Sequence, residues 1–211
     1  MPLMQYSPFA SLQNLARQRD AREPCELCGA GLSSAHQHLI EPATRKLLCA
    51  CEACALLFDS PTRTNYKRVP RRLRQLTRFQ ITDGEWDSLA IPIGVAFFFQ
   101  SSPQNATVVI YPSPAGATES HLSFESWRDI AERNSALARM EPDVEGLLVN
   151  RLGLPRAAAE YYIAPIDRCY ELVGTLRAHW RGLSGGAAVW ERVGRFFEQL
   201  RSQAALEPTH A

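Results

Sequence analysis

In the second half of the chain, segments with the hydrophobic pattern of strands alternate with segments that have the pattern of helices. The apolar runs "IGVAFFFQ" and "ATVVIYP", separated by "SSPQN", predict two strands joined by a turn, and "VEGLLVNRL" and "AEYYIAPI" predict a second pair. A short helix carrying Trp86 precedes the first pair. Between the pairs, Trp127 and Ile130 recur at helical spacing behind Ser123, a suitable N-cap. The stretch "SPAGATES" is expected to be a loop.

Two more helices are expected after the last strand. Asp167 opens the first, in which Cys169, Val173 and Leu176 share one side, and "GLSGG" ends it. Val189 to Leu200 carry the apolar side of the final helix. The order of elements predicts the α+β class, with an antiparallel sheet covered by helices, which we expect on one face.

Composition changes along the chain suggest five segments. We expect an N-terminal arm at 1–22, a Cys-rich metal-binding module at 23–60, a basic connector at 61–80, an α+β domain at 81–205 and a tail at 206–211. The module would be a zinc knuckle of the zinc-ribbon or treble-clef-like kind, placed before the α+β domain.

The strongest chemical signal is a cluster of cysteines. Five of the six cysteines lie between residues 25 and 54. Two residues separate Cys25 from Cys28, which precedes Gly29, a residue that permits a tight turn, and Cys51 and Cys54 repeat the spacing. Two such pairs predict a four-thiolate metal site. Zn²⁺ is the expected ion, and Fe in a rubredoxin-like site is the alternative.

Cys49 makes the ligand set ambiguous, because "CACEAC" offers three thiols where the second half of a tetrahedral site needs two. The knuckle spacing selects Cys51 with Cys54. Cys49 then faces the core, acts as an alternative metal ligand or is a reactive thiol. We favour the first of these interpretations. A site with four thiolates is saturated, so it is predicted to be structural and not catalytic.

Two histidines lie between the cysteine pairs. In "HQHLIEP", His36 and His38 are expected on one side of a short strand. One interpretation is an HNH-like nuclease in which His38 is the base, but the groups that would complete its catalytic metal site do not follow. The interpretation we favour is that both are polar strand residues or hydrogen-bond partners of the thiolate ligands.

The connector is strongly basic, with no acidic residue from position 63 to 78. It could bind nucleic acid or an acidic protein surface, but the net charge of +1 argues against a dedicated nucleic-acid-binding protein. We therefore predict partner contacts with a protein. The candidate residues are Arg63, Lys67, Arg68, Arg71, Arg72, Arg74 and Arg78.

Bulk properties exclude several classes. The longest apolar run, "LAIPIGVAFFF", is too short to span a membrane, and the N-terminus does not read as a secretory signal. We therefore expect a cytoplasmic protein without membrane insertion, whose clustered cysteines bind metal instead of forming disulfides. The sequence contains no Ser-His-Asp set, paired carboxylates or dinucleotide-binding fingerprint, and we predict a protein that is not an enzyme.

Several stretches together resemble an uncharacterised bacterial family, a domain of unknown function. They are "CELCGAGL", "LLCACEACALLFD", "IPIGVAFFF", "YPSPAGATES", "MEPDVEGLLVNR", "DRCYELVGTLRAHWRGLSGG" and "VWERVGRFF". The resemblance extends from about residue 23 to 203, and its cysteine pattern includes Cys49. Genes of this family tend to lie beside those of actinobacterial-type [NiFe]-hydrogenases.

The resemblance implies an accessory role for this chain. We expect a non-catalytic metal-binding protein that assists maturation, assembly or electron supply of a [NiFe]-hydrogenase through contacts with a hydrogenase subunit or maturation protein. A rubredoxin-like electron carrier is the alternative, and an HNH-like nuclease or nucleic-acid-binding module is the lower one.

Overall fold

A computed structural model describes residues 23–59, 64–79, 81–113, 116–120, 124–153, 158–182 and 185–206. The predicted N-terminal arm, Arg63, Ser123 and all but the first residue of the predicted tail lie outside these ranges. None of the helices among the described residues is long and apolar enough to cross a membrane.

A small three-stranded antiparallel sheet follows the first cysteine pair. Its strands are β1 (Gln37–Glu41), β2 (Lys46–Ala50) and β3 (Lys67–Arg68), in the order β2-β1-β3. Helix α1 (Glu52–Phe58) continues directly from β2. Side chains on one face of this sheet, among them Leu39 and Leu48, form a small core with the buried cysteines.

A larger seven-stranded sheet forms the centre of the molecule. Its order is β10-β4-β9-β8-β5-β6-β7, and all neighbours are antiparallel except β10 and β4. The strands are β4 (Arg74–Gln75), β5 (Val95–Ser101), β6 (Ala106–Ser113), β7 (Gly116–Ser120), β8 (Glu145–Asn150), β9 (Glu160–Pro165) and β10 (Ala205–Leu206). The α+β class and the antiparallel sheet are therefore as predicted.

Helices cover both faces of the large sheet, so the expectation of a single covered face is wrong. They are α2 (Asp83–Ser88), α3 (Phe124–Arg133), α4 (Ser135–Ala138), α5 (Ile166–His179) and α6 (Ala187–Gln203). Side chains of α5 and α6 pack with Phe97 and Phe99, whereas those of α2, α3 and α4 pack with Phe98. Because successive residues of the central strands are apolar, each face needs a cover.

Two other segments differ from the expectation. Part of the predicted loop "SPAGATES" is strand β7, which pairs with β6 so that Ser113 lies opposite Gly116. The predicted connector supplies β3 to the small sheet and β4 to the large one. The two sheets are thus joined by a segment that takes part in both.

The second face of the small sheet packs against the large domain. Ile40 and Val69 are buried members of the same core as α5 and α6, and Leu47 packs against that core. The register sets Ile40 opposite Leu47 and His38 opposite Cys49. Alternation along β1 and β2 therefore directs His38 and Cys49 toward the face that carries Ile40 and meets α5.

Candidate metal centre

The first cysteine pair lies in a tight turn before the small sheet. The amide of Gly29 donates to the carbonyl of Cys25 at 2.8 Å, and the amide of Cys25 donates to the carbonyl of Ala30 at 2.8 Å. Gly29 has a φ of 75°, in the left-handed region that glycine adopts without a Cβ clash. Cys25 is 2% exposed, whereas Cys28 is exposed. The turn thus presents one buried and one exposed thiol.

The second pair lies at the start of α1. Cys51 is the N-cap, and its Sγ accepts a hydrogen bond from the amide of Cys54 at 3.4 Å. The amide of Glu26 donates to the carbonyl of Cys49 at 2.9 Å, which attaches the first turn to the end of β2. This backbone contact is what places the two cysteine pairs beside each other.

The four sulfurs have the arrangement of a metal site. One Sγ from each of Cys25, Cys28, Cys51 and Cys54 lies within 4.8 Å of the others, and the Cys28–Cys51 distance is 3.7 Å. A tetrahedral ion with Zn–S bonds of about 2.3 Å separates its ligands by about 3.8 Å. The cluster predicted from spacing is therefore positioned to bind a metal ion.

Electrostatics explain why the cluster favours a cation. Burial raises the pKa of Cys25, but backbone hydrogen bonds, that from Cys51 first, outweigh it and lower that pKa to about 6. Burial first, and hydrogen bonds with the neighbouring thiols second, raise the pKa of Cys54 to about 12. Thiolates this close repel one another, so the charge concentrates on Cys25. A divalent cation offsets this repulsion and stabilises all four cysteines as thiolates.

Metal affinity is therefore expected to fall on acidification. Because the raised pKa of Cys54 keeps this thiol protonated at neutral pH, metal binding must displace its proton. The association constant for Zn²⁺ should fall at least tenfold per pH unit between about pH 8 and pH 6. Competition with a chromophoric chelator measures this, and a pH-independent constant would contradict it.

Cys49 and the two histidines form a separate group. Cys49 Sγ and one ring nitrogen each of His36 and His38 lie within 4.8 Å of one another, apart from the four-thiol cluster. The thiol of Cys49 donates to Glu23 at 3.5 Å. Burial first, and the Glu23 carboxylate second, raise the pKa of Cys49 to about 11. The structure thus pairs Cys49 with the histidines.

Four of the six basic candidates that the structure describes form ion pairs within the molecule. Asp143 and Glu145 are buried acceptors that flank the start of β8. The pairs are Lys67–Asp143 at 2.6 Å, Arg68–Glu52 at 2.7 Å, Arg72–Glu145 at 2.7 Å and Arg74–Glu145 at 3.4 Å. These cations pair with carboxylates of the same chain, two of them on buried residues, which reduces the charge that the connector offers to a partner.

The other two described candidates, Arg71 and Arg78, differ in their surroundings. Arg71 is exposed and donates to the carbonyl of Ala35 at 3.3 Å, beside the histidine group, and Arg78 is exposed. Cation sites for an acidic partner or for phosphate are therefore fewer than the sequence suggests. This also weakens the nuclease alternative, which needs the connector to hold the phosphate backbone.

Sequence reasoning did not assign a site role to Asp167. Its Oδ2 lies 2.7 Å from His38 Nδ1, although 129 positions separate the two residues. In the sequence Asp167 is only a helix-opening residue, and no local signal links it to the histidines. The contact depends on how the small sheet packs against α5.

A family model matches residues 24–204, which include all the cysteines, the small sheet and every strand of the large sheet except β10. The chain belongs to the family of unknown function DUF5947. No curated protein and no solved structure matches it significantly. Membership of DUF5947 confirms the resemblance to an uncharacterised family, and the association with hydrogenases stays a prediction.

Proposed function

We propose that this protein is a non-catalytic metal-binding accessory protein whose Cys25, Cys28, Cys51 and Cys54 hold one Zn²⁺ ion. The observation that carries the proposal is the four-sulfur cluster, with its 3.7 Å Cys28–Cys51 separation. Four thiolates fill a tetrahedral ion and leave no position for substrate. The ion then stabilises the small module, whose core is too small to be stable alone.

The proposed partner is a [NiFe]-hydrogenase subunit or one of its maturation proteins. The family resemblance supports this choice, and a surface feature supports contact through the metal module. Leu56 and Leu57 on α1 are 61% and 72% exposed and lie on the helix that begins with Cys51 and carries Cys54. Metal binding would fix this helix, and with it an apolar contact that a partner can bury.

An iron site that carries one electron is the second candidate function. Cys28 is the exposed member of the cluster, and a thiolate ligand at the surface gives an electron a short path to a partner. The same four thiolates hold Fe in a rubredoxin-like site. Zn²⁺ is preferred because a small module of this kind requires a metal for folding but not for redox chemistry.

Metal content and co-purification test the proposal. The untagged protein, purified without added metal, is expected to contain one equivalent of zinc and to be colourless, whereas iron with visible absorption would support the electron carrier. From a hydrogenase-expressing host, an affinity-tagged version should recover hydrogenase components identified by mass spectrometry. Leu57→Glu should reduce that recovery, and the exposed Leu206→Glu is the matched control. Recovery of no hydrogenase component would refute the accessory role.

A further inference from the structure

We propose that His36, His38 and Cys49 form a second metal site, for a divalent transition-metal ion with one open coordination position. The site lies against the start of α5, where His38 meets Asp167, and Cys49 also packs against the cysteine-containing core. It shares no ligand with the four-thiol cluster. Its ligands are therefore distinct from those of the metal that the proposed function requires.

Strand geometry brings the three ligands together. Cys49 on β2 lies directly opposite His38 on β1, so their side chains are on the same face. His36 lies immediately before β1 and two residues before His38. The two rings meet edge to face with centroids 4.8 Å apart. The ligand atoms lie within 4.8 Å, and side-chain shifts of about 1 Å would give the spacing of a bound ion.

Hydrogen bonds leave a free lone pair on each histidine. His36 Nδ1 lies 3.0 Å from the carbonyl of Ser33, which can only accept, so Nδ1 carries the proton. His38 Nδ1 in the same way donates to Asp167 Oδ2 at 2.7 Å. In the neutral form of each ring the other nitrogen, Nε2, carries the lone pair that can bind a metal.

The Nε2 atom of His36 gives an independent indication that this group binds a metal. It is buried and has no hydrogen-bond partner among the residues that the structure describes. A buried acceptor without a partner is costly, and a metal ion would satisfy it. If the group were only a set of polar packing contacts, this lone pair would have no partner.

Asp167 has the geometry of a carboxylate that orients a metal-binding histidine. One of its oxygens accepts from His38, and the other accepts from the amide of Arg168 at 2.7 Å. Histidine ligands commonly donate their second N–H to such a carboxylate, which fixes the ring and increases its basicity. Asp167 is therefore a positioning residue and not a ligand.

The donor set indicates the class of ion. Two imidazoles and a thiolate suit Zn²⁺ and similar transition metals, whereas Mg²⁺ and Ca²⁺ prefer oxygen ligands. Open clefts adjoin the group on two sides. One, of about 460 Å³, is lined by His38, Cys49 and Tyr170, and the other, of about 370 Å³, by His36 and Pro165. Water or a small ligand can therefore reach a fourth position.

Cobalt is a suitable probe because a thiolate bound to Co²⁺ gives a charge-transfer absorption. The full-length protein with zinc in its four-thiol site is treated with a mild chelator, desalted and titrated with Co²⁺, while released zinc is measured. Wild type is expected to bind one further equivalent with charge-transfer absorption and without zinc release. Cys49→Ser should lose that absorption, and His38→Gln should lose the stoichiometric binding.

Two further variants distinguish a loss of Co²⁺ binding at this site from a loss caused by misfolding. Asp167→Asn should weaken Co²⁺ binding about 10–100-fold while circular dichroism stays unchanged, as expected for a carboxylate that orients a ligand. His179→Gln alters a histidine on α5 outside the group and should bind Co²⁺ like wild type. Unchanged charge-transfer absorption in Cys49→Ser, or Co²⁺ uptake only with zinc release, would overturn the proposal.

The outcome of the Co²⁺ titration can be judged separately from the proposed function. If the four-thiol cluster holds iron, or if no hydrogenase component binds, the dependence of cobalt absorption on Cys49 still reports on this site alone. Conversely, a failed cobalt titration leaves zinc at the four-thiol cluster and partner recovery unaffected.

Discussion

Cys54→Ser is expected to abolish stoichiometric metal binding and to unfold the small module while the seven-stranded sheet stays folded. Cys54 is a buried member of the four-thiol cluster at the start of α1, and the core around it contains seven buried residues among those that the structure describes. A structural zinc ion contributes about 10–16 kcal/mol to folding in zinc-finger peptides, far more than such a core can supply. Metal analysis should show less than one equivalent. Hydrogen exchange should show lost protection in β1 and β2 but not in β5 and β8.

The matched control is Cys49→Ser, the same substitution five positions earlier in the chain. Cys49 lies outside the four-sulfur cluster, so this variant should keep its tightly bound zinc and the protection of β1 and β2. If both variants lose zinc equally, Cys49 is a ligand of the four-thiol metal and the assignment of Cys51 with Cys54 is wrong. If neither does, the cluster does not bind the metal.

The four-thiol cluster could be predicted because its information is local. Each cysteine pair lies within one turn, and Gly29 marks the position where the chain needs a left-handed φ. The position of Cys49 was harder to predict. Strand alternation predicts His36 and His38 on one face, although β1 begins only at Gln37. The register of the β1–β2 hairpin sets Cys49 opposite His38, and a one-residue slip would reverse its face.

Contacts between distant segments explain why the sequence did not show that basic residues of the connector are already paired. The acidic partners of Lys67 and Arg72 lie more than 70 positions away, at Asp143 and Glu145. The basic connector therefore looked like a free cationic surface. Its two short strands, β3 and β4, depend on edges that other segments provide, and two residues carry too little pattern to predict a strand.

The central sheet was predictable in its strands but not in its layers. Runs such as "VAFFF" and "LLV" are apolar at consecutive positions, which is typical of strands buried on both faces. We expected helices on one face because their sequence order does not specify which side each one takes. Phe97 and Phe98 lie in different cores, and this alternation is the feature that requires two helical layers.

Phe98→Ala is expected to destabilise the large domain by about 3–5 kcal/mol, the usual cost of removing a buried phenylalanine. Phe98 is fully buried, stacks on Trp127 with centroids 4.6 Å apart and meets Trp86 edge to face at 6.4 Å. The alanine would leave a cavity between two indole rings that cannot collapse without moving helices. Thermal unfolding should shift down by roughly 10 °C. Zinc content below the transition should be unchanged, because the cluster belongs to another core.

Phe98→Leu is the control that keeps most of the apolar volume, and it should cost about 1 kcal/mol. Leu56→Ala changes an exposed side chain of the metal module and should alter the free energy of unfolding by less than about 0.5 kcal/mol. If Phe98→Ala also releases zinc below its unfolding transition, the two cores do not unfold separately. Ile40 and Val69, which join the small sheet to the core under α5 and α6, would then be the contacts that transmit the change.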